Sequence, residues 1–300
     1  MTEVMTSKME QLKINVQDFL KTELEVFEFG TGKPEILITG GIHGGEATGI
    51  YVAQKLVEFL ENKDILKGKV KIIPICNPTA FRQKERTSPY DGLDMNRIFP
   101  GDENGTITQR TANEIYNQAK DVDYLIDLHC CGTYGYSYTL ALWQESKEIE
   151  EFANKLDIPI LVQSSGAEGQ LFVELTKKGK KALIIELPGG GNVAEVDLKS
   201  GENAFTALLN LLGKLEIIEY DTYHTDPQLC DKLVPLRAEE EGLFLTDHIA
   251  GDVIEENKLI AHINGKEIIV DKKGTLTSLR PPGFVFKGDY LGAIAPHLDN

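Results

Sequence analysis

The feature of this sequence that most constrains its fold is the alternation of short apolar runs with amphipathic segments over the first two thirds of the chain. Residues 35–39 form an apolar run that ends at Gly40, and residues 46–60 follow with apolar side chains at helical spacing. Residues 70–75 are the next apolar run, in which Pro74 favours an edge or the end of a strand. Alternating strands and helices are typical of an α/β domain with a mainly parallel sheet.

This alternation continues as far as residue 215, with further helices and strands predicted at residues 107–119, 124–128, 182–185 and 194–215. Either Thr106 or Thr108 is able to cap the helix that starts at residue 107. The polar stretch of residues 77–106 is long for a connection inside a compact domain, which indicates a functional loop. The sequence therefore predicts a mixed, mainly parallel sheet flanked by helices.

The pattern changes after the last predicted helix. Short β-rich runs separated by turns fill residues 233–295, and Asn264-Gly265 is a strong signal for a two-residue hairpin turn. Two of these runs are weakly similar to each other and resemble the paired hairpins of biotinyl/lipoyl-type domains. We therefore predict an α/β domain over residues 1–218 and a small all-β domain over residues 219–300.

Charge and cysteine content narrow the class of protein. Lys and Arg number 31 and Asp and Glu number 47, so the formal net charge is −16, which argues against nucleic acid and anionic membrane surfaces as partners. Residues 1–20 lack the apolar core of a secretory signal, and no apolar run is long enough to span a membrane. Four cysteines without a Cys-x-x-Cys pair favour a reducing, cytoplasmic compartment. Self-association into a homo-oligomer is left open.

The strongest chemical signal is the segment GGIHGGE at residues 40–46, between the first predicted strand and the helix after it. This junction lies at the carboxyl end of a strand, where open α/β sheets bind ligands. His43 and Glu46 offer an imidazole and a carboxylate, both of which are zinc ligands, and the glycines leave room for them to turn towards one point. Because His-x-x-Glu is a short motif, a glycine-rich turn with an incidental His and Glu is the alternative.

A third metal ligand is expected among the other histidines. Of the six, only His129 ends an apolar strand in the α/β part. Together with His43 and Glu46 it completes the three-ligand set of catalytic zinc sites, which leaves a fourth position for water. Asp127 lies on the same strand face as His129 and either holds its imidazole or caps an unrelated helix. Cys130, next along the strand, is expected to point to the opposite face.

Two arginines and an asparagine in the long loop form a candidate carboxylate clamp. Arg86, Asn96 and Arg97 lie in a stretch fixed by proline and glycine, and the planar fork of an arginine matches a carboxylate. The alternative is that Arg97 pairs with Asp91 or Asp94 and only stabilises the loop.

Glu186 is the candidate general base. It follows the apolar strand of residues 182–185 and precedes a glycine-rich turn, and partial burial there would raise its pKa into the range useful for proton transfer. The alternative is an ion pair with Lys180 or Lys181.

In their order and context, these motifs resemble the succinylglutamate desuccinylase/aspartoacylase family, a branch of the zinc carboxypeptidase clan. The motifs are His43-x-x-Glu46, Asn77-Pro78, Arg86, Asp94-Met-Asn96-Arg97-x-Phe-Pro-Gly, Asp127-Leu-His129 and Glu186. The resemblance covers residues 30–215, and the β domain resembles the C-terminal domain of the family. Met95 stands where the family usually has leucine, and Pro188 replaces the glycine expected two residues after the base. The family also has a substrate tyrosine in its β domain, and Tyr290 is the candidate for it in this sequence.

The resemblance implies one Zn²⁺ per chain, bound by His43, Glu46 and His129. It implies that Glu186 acts as general base and acid, and that Arg86 polarises the scissile carbonyl. It also implies that Asn96 and Arg97 hold a carboxylate of the substrate.

The activity expected from this resemblance is zinc-dependent hydrolysis of a linear amide, that of a small anionic N-acyl amino acid. A zinc carboxypeptidase acting on short peptides would use the same metal and base, so the motifs do not separate the two. We favour the small substrate because a β domain leaning over the site would exclude long peptides. A non-catalytic carrier with a prosthetic group at Asp271-Lys272 is a third reading, but it leaves the metal ligands and Glu186 unexplained.

Overall fold

The computed structural model describes residues 22–298. Residues 1–20, for which we predict no secretory signal, lie outside this range. Among the described residues, no helix is both long enough and apolar enough to cross a bilayer.

The larger of the sheets has nine strands and forms the centre of the α/β part. Its strands are Phe27–Thr31 (β1), Glu35–Gly40 (β2), Gly68–Ile73 (β3), Tyr124–Gly132 (β4), Tyr138–Ala141 (β5), Ile160–Gln163 (β6), Lys181–Gly190 (β7), Glu195–Val196 (β8) and Gln228–Cys230 (β9). They follow the order β1-β3-β2-β4-β7-β5-β6-β9, and β8 pairs with β7. Three strand pairs of this sheet are antiparallel: β1 with β3, β5 with β7, and β7 with β8. The other pairs are parallel. The predicted fold class, a mixed and mainly parallel sheet, is confirmed.

Residues 22–298 contain six α-helices, of which five pack on the two faces of this sheet. They are Ala47–Leu60 (α1), Pro78–Gln83 (α2), Ile107–Ala119 (α3), Lys147–Ala153 (α4), Leu171–Thr176 (α5) and Leu198–Lys214 (α6). Helices α1, α4 and α6 bury Val52, Phe152 and Leu208 against one face of the sheet. Helices α3 and α5 bury Ile115 and Phe172 against the other face. The burial of these apolar side chains is the main force that fixes the strand ends in place.

The glycine-rich turn after β2 lies directly against α2. A Cβ atom on Gly44 would be 2.0 Å from the carbonyl carbon of Ala80, so only glycine fits there. The sequence did not predict α2 within the polar stretch, although its start has a clear signal. Asn77 accepts a hydrogen bond from the Ala80 N–H as the N-cap, and Pro78 is the first helical residue. Strand β3 ends at Ile73, so Pro74 marks a strand end.

The C-terminal part contains two four-stranded antiparallel sheets. Their strands are Val234–Arg237 (β10), Gly242–Leu245 (β11), Val253–Ile254 (β12), Lys258–Ile263 (β13), Lys266–Val270 (β14), Gly274–Leu279 (β15), Gly283–Val285 (β16) and Tyr290–Pro296 (β17). The sheets have the orders β10-β17-β15-β12 and β14-β13-β11-β16 and share a core that includes Phe244, Leu276 and Ile294. The predicted hairpin turn is confirmed, with φ of 50° at Asn264 and 86° at Gly265 between β13 and β14.

The predicted domain boundary at residues 218/219 stays a prediction. After it, the chain adds β9 to the large sheet before it enters the two smaller sheets. The segment that follows β4 is joined to β15 by backbone hydrogen bonds, from the Tyr136 N–H to the Thr277 carbonyl (2.8 Å) and from the Leu279 N–H to the Tyr134 carbonyl (3.1 Å). The β sheets are thus attached beside the carboxyl end of β4.

Candidate metal centre and active site

His43 and Glu46 meet at the start of α1. His43 lies in the turn after β2 and is 3% exposed, while Glu46 is the N-cap residue of α1. The Nδ1 atom of His43 is 2.8 Å from Oε1 of Glu46. The backbone N–H of Cys130, on β4, donates to Oε2 of Glu46 at 3.1 Å. The carboxylate is therefore held between the two strand ends.

His129 reaches the same carboxylate from β4. Its Nδ1 atom is 2.9 Å from Oε2 of Glu46, and its Nε2 atom is 2.8 Å from Oδ2 of Asp127. The Thr39 hydroxyl donates to the other oxygen of Asp127 at 2.8 Å. Of the two roles considered for Asp127, the structure has the hydrogen bond to the imidazole, as two residues on one strand face allow.

Asp94 performs the corresponding task for the other imidazole, and the sequence did not predict this role. Its Oδ1 atom is 3.0 Å from Nε2 of His43, and its Oδ2 atom accepts from Nε of Arg86 at 2.9 Å. Asp94 belongs to the Asp-Met-Asn-Arg motif, which was a signal that this loop is functional. Its partner is 51 residues away in the chain, so the pairing itself had no local signal.

The charges of this cluster depend on one another. Burial disfavours the charged form of His129, but the carboxylates of Asp127 and Glu46 outweigh it and raise its pKa well above the usual value. The same balance, with Glu46 and Asp94 as the carboxylates, raises the pKa of His43. Burial alone would raise the pKa of Glu46, yet the two imidazoles hold it far below its ordinary range. The site is thus built to keep a negative charge between two imidazoles.

The arrangement fits a divalent metal ion. Ligand atoms of His43, Glu46 and His129 all lie within 4.8 Å of one another. Each imidazole turns Nδ1 towards Glu46 and has Nε2 held by an aspartate, which is the usual way to orient a metal-ligating histidine. Two imidazole nitrogens and one carboxylate oxygen are the donor set of catalytic zinc sites with an open fourth position.

Glu186 faces this cluster from β7. It pairs in register with His129 on the neighbouring strand, and directly opposed residues share one face of a sheet. Burial raises the pKa of Glu186 to about 7, with the Glu46 and Asp127 carboxylates adding to the rise and the imidazoles opposing it. Neither Lys180 nor Lys181 is ion-paired with it, and the ammonium of Lys181 lies 5.4 Å from the ring centroid of Tyr124. A carboxyl group that titrates near neutrality beside a candidate metal site is suited to proton transfer.

The three loop residues of the predicted clamp have different surroundings. Arg86 is half-exposed and pairs with Asp94. Asn96 is 2% exposed, and its Oδ1 atom accepts from the Leu171 N–H at 3.2 Å. Arg97 is exposed, and its Nη1 atom donates to the Asn96 carbonyl at 2.7 Å. Of these residues, the arginines have donors left for a ligand, and the roles of all three in substrate binding stay predictions.

Asp91 and Asp94 do not pair with Arg97. The Thr108 hydroxyl donates to Asp91 at 2.8 Å, so that carboxylate anchors the start of α3. Asp94 is used by His43 and Arg86, as described above. The alternative in which Arg97 only stabilises the loop through one of these carboxylates therefore lacks its ion pair within residues 22–298.

Tyr290 brings the β sheets to the cleft. Its hydroxyl is 2.8 Å from the Ser278 hydroxyl, and the Arg237 guanidinium lies 5.9 Å from its ring centroid. Burial raises the pKa of Tyr290, and the nearby Cys131 thiol and Glu186 carboxylate contribute. A β17 side chain thus lies within electrostatic reach of the candidate base.

The sequence and the fold of this chain are similar to those of known proteins. The family model of the succinylglutamate desuccinylase/aspartoacylase catalytic domain matches residues 32–212. The chain is 29% identical over 288 residues to the N-alpha-acetyl-L-2,4-diaminobutyric acid deacetylase of Halomonas elongata, covering 89% of this chain and 83% of that protein.

Solved structures share the fold over almost the full length. A succinylglutamate desuccinylase/aspartoacylase from Rhodobacter sphaeroides has a TM-score of 0.80 and 22% identity, covering 98% of this chain and 95% of its own. The product-bound ectoine utilization protein EutE (DoeB) of Ruegeria pomeroyi has a TM-score of 0.78 and 21% identity, covering 97% and 94%. At these identities the two structures are evidence for the fold alone.

Proposed function

This chain belongs to the succinylglutamate desuccinylase/aspartoacylase family, and we propose that it is a zinc-dependent hydrolase of the amide bond of a small N-acyl amino acid. The observation that carries the proposal is the meeting of His43, Glu46 and His129 at one point, with Glu186 on the same sheet face. The deacetylase relative in Halomonas elongata supports the choice of an N-acyl amino acid.

We propose that His43, Glu46 and His129 hold one Zn²⁺ per chain. When bound in such a site, zinc acts as a Lewis acid and lowers the pKa of a coordinated water to about 7. The protein side chains prepare for this ion, because Asp94 and Asp127 fix both imidazoles with Nδ1 directed inwards.

The chain's own residues supply the proton transfer and the charge stabilisation. Glu186 accepts the proton of the attacking water and passes it to the nitrogen of the leaving amine. The Arg86 guanidinium, whose Nη1 atom lies 3.5 Å from Nδ1 of His43, stabilises the negative charge that develops on the carbonyl oxygen. The loss of one such donor typically costs roughly 10²–10³ in rate.

Asn96 and Arg97 are proposed to bind a substrate carboxylate. Arg97 has the free donors for a charge-assisted contact. The Asn96 side chain is buried against His129 and α5, and the Asn96 carbonyl accepts a hydrogen bond from Arg97. We therefore propose that Asn96 holds Arg97 in position and also contacts the ligand.

Small substrates are favoured over peptides because the β sheets stand beside the cleft. The segment after β4 is bonded to β15, and Tyr290 reaches the surroundings of Glu186. We propose residues 1–218 as the hydrolase domain and residues 219–300 as the domain that limits the cleft. We also propose a cytoplasmic location, which the four free cysteines support.

The metal assignment is tested by metal analysis of purified variants. His43→Ala and His129→Ala should lose the equivalent of zinc that the wild type binds. The control is His224→Ala, because His224 is exposed and pairs with Asp226, which is not part of the candidate metal site. Stoichiometric zinc in either of the first two variants would contradict the ligand set.

The activity is tested by incubating the zinc-loaded protein with N-acetyl, N-succinyl and N-formyl amino acids and with dipeptides that vary at the C-terminus. Products are identified by mass spectrometry. Cleavage of N-acyl amino acids with little cleavage of dipeptides is the expected result. The reverse preference would replace the proposal with a zinc carboxypeptidase.

A further inference from the structure

Tyr138 lies next to the candidate base on the side away from the metal ligands. Strand β5 runs antiparallel to β7, and Tyr138 pairs in register with Glu186. On the opposite side of β7, Glu186 pairs with His129 of β4. Because directly opposed residues lie on one face of a sheet, His129, Glu186 and Tyr138 form a row across three adjacent strands.

The side chain of Tyr138 is buried but its hydroxyl has no partner. The residue is 6% exposed and packs with Ile160 and Val162. Within residues 22–298 the hydroxyl forms no hydrogen bond. Among the described residues, the fully enclosed side-chain polar atoms that lack a hydrogen-bond partner belong to Asn77, Trp143, Asn154 and Thr176. The Tyr138 hydroxyl is not among these enclosed atoms. A buried tyrosine normally finds a partner for its hydroxyl, so this one is available to a molecule that enters the cleft.

The charges around this hydroxyl make it a donor. Burial raises the pKa of Tyr138 well above its usual value, and the Glu186 carboxylate and Cys131 thiol add to the rise. The phenol therefore keeps its proton at neutral pH. A protonated phenol that donates to a carboxylate forms a charge-assisted hydrogen bond, which is stronger than one between neutral groups.

The order of the strands says which half of a substrate passes over Tyr138. Across the sheet, β2 and β4 carry the metal ligands, β7 carries Glu186 and β5 carries Tyr138. In the proposed reaction the scissile carbonyl lies at the metal site and the leaving nitrogen within reach of Glu186. The amine half of the substrate then continues towards β5. Beyond the scissile bond, the acceptor common to every N-acyl amino acid is its α-carboxylate.

We propose that the Tyr138 hydroxyl donates a hydrogen bond to the α-carboxylate of the amine half and so determines specificity for amino acids over other amines. This inference rests on the proposed function. It adds a substrate contact on β5 that none of the motifs in the sequence indicated.

The test compares Tyr138→Phe with Tyr116→Phe, both loaded with zinc. Tyr116 is a suitable control because it is a partly buried phenol near a glutamate, Glu174, but lies on α3 and not on the strands that carry the candidate site. The substrates are N-acetyl-L-2,4-diaminobutyrate, N-succinyl-L-glutamate and the α-carboxamide of each. Zinc content and melting temperature of both variants are measured first and should match the wild type.

For Tyr138→Phe, kcat/KM on the carboxylates should fall by roughly 10- to 100-fold, the usual worth of a hydrogen bond to a charged group. On the carboxamides, kcat/KM should fall by about tenfold or less. Both decreases should be the same for the acetyl and the succinyl substrates. Tyr116→Phe should behave as the wild type. Equal losses on carboxylate and carboxamide, or no loss, would overturn the role of Tyr138.

A binding measurement gives a second readout that needs no turnover. The measurement is calorimetry with the same substrates in a Glu186→Gln background. Adding Tyr138→Phe to this variant should weaken its affinity for the carboxylate substrates by about tenfold or more. Unchanged affinity would overturn the inference. If the wild type hydrolyses none of the N-acyl amino acids, the proposed function fails and this inference fails with it. Turnover by the wild type with an unaffected Tyr138→Phe variant would remove the inference alone.

Discussion

Asp94 and Asp127 hold the two imidazoles of the candidate metal centre by the same ring atom. Asp94 lies 3.0 Å from Nε2 of His43, and Asp127 lies 2.8 Å from Nε2 of His129. As a result, both Nδ1 atoms are directed at the carboxylate of Glu46. One aspartate comes from a loop and the other from a strand, so two unrelated local structures provide the same orientation.

The first prediction concerns these two aspartates. Asp94→Asn and Asp127→Asn should each weaken zinc binding by roughly 10- to 100-fold, because the imidazoles lose the charged partner that orients them and makes them better ligands. Competition with a chelator of known affinity measures the change. Asp91→Asn is the control, since Asp91 bonds to Thr108 and contacts neither imidazole. Unchanged zinc affinity in both variants would show that the aspartates only fill space.

How far the sequence predicts this site depends on how local each contact is. His43, Glu46 and His129 could be found because each stands at the end of an apolar strand or the start of a helix, where parallel sheets bring residues together. Glu186 follows the same rule on β7. Asp94 could not be paired with His43, because the conformation of a long loop depends on tertiary contacts such as that of Asn96 with Leu171.

The helices and strands also fall into two groups, those with a clear local sequence signal and those without one. The bounds of α3 agree with the prediction because its helical periodicity is regular and Thr106 with Gln109 marks its start. Residues 133–180 were not predicted, although they contain two strands of four residues and two helices of six or seven. Elements this short are mostly buried and carry too few residues for a period to appear. Tyr138 lies in this stretch, which is why no motif pointed to it.

The second prediction concerns the carboxylate clamp. Arg97→Ala should reduce kcat/KM on substrates with free carboxylates far more than on the same compounds with every carboxylate masked as an amide, since a charge-assisted contact is lost. Steady-state kinetics on matched pairs measures the difference. Arg110→Ala, on α3 near Asn104, serves as an arginine control. Equal losses on both forms would mean that Arg97 holds the loop and not the substrate.

The third prediction concerns the base. Glu186→Gln keeps the shape of the side chain but removes proton acceptance, so kcat should fall by roughly 10²–10⁴ with little change in KM or zinc content. In the wild type, activity should rise with pH as the Glu186 carboxyl, with its pKa raised to about 7, loses its proton. A bound cation adds positive charge nearby, so this rise should be centred at or below pH 7. The variant should lack it, and a rise that persists would assign the titration to another group.

The last prediction follows from the same carboxyl group and concerns the stability of the metal-free protein. In the folded state burial raises the pKa of Glu186 from 4.5 to about 7. The folded protein therefore binds this proton more tightly than the unfolded chain does, and stability falls as pH rises from about 4.5 to about 7. Above pH 7 the ionised, buried carboxylate costs about 3 kcal/mol, from about 1.36 kcal/mol per pKa unit over a rise of about 2.5 units.

Glu186→Gln removes that cost, so the variant should be more stable than the wild type at pH 8 by up to about 3 kcal/mol and nearly equal to it at pH 4. Denaturant unfolding of both metal-free proteins at the two pH values measures the difference. Glu241→Gln, which changes an exposed carboxyl in the connection between β10 and β11, should show no such pH dependence. A Glu186→Gln protein that gains nothing at pH 8 would mean that the carboxylate is well solvated in the folded state. In that case the pKa of Glu186 would lie near its ordinary value, and the raised pKa that suits this carboxylate to accept a proton near neutral pH would have to be discarded.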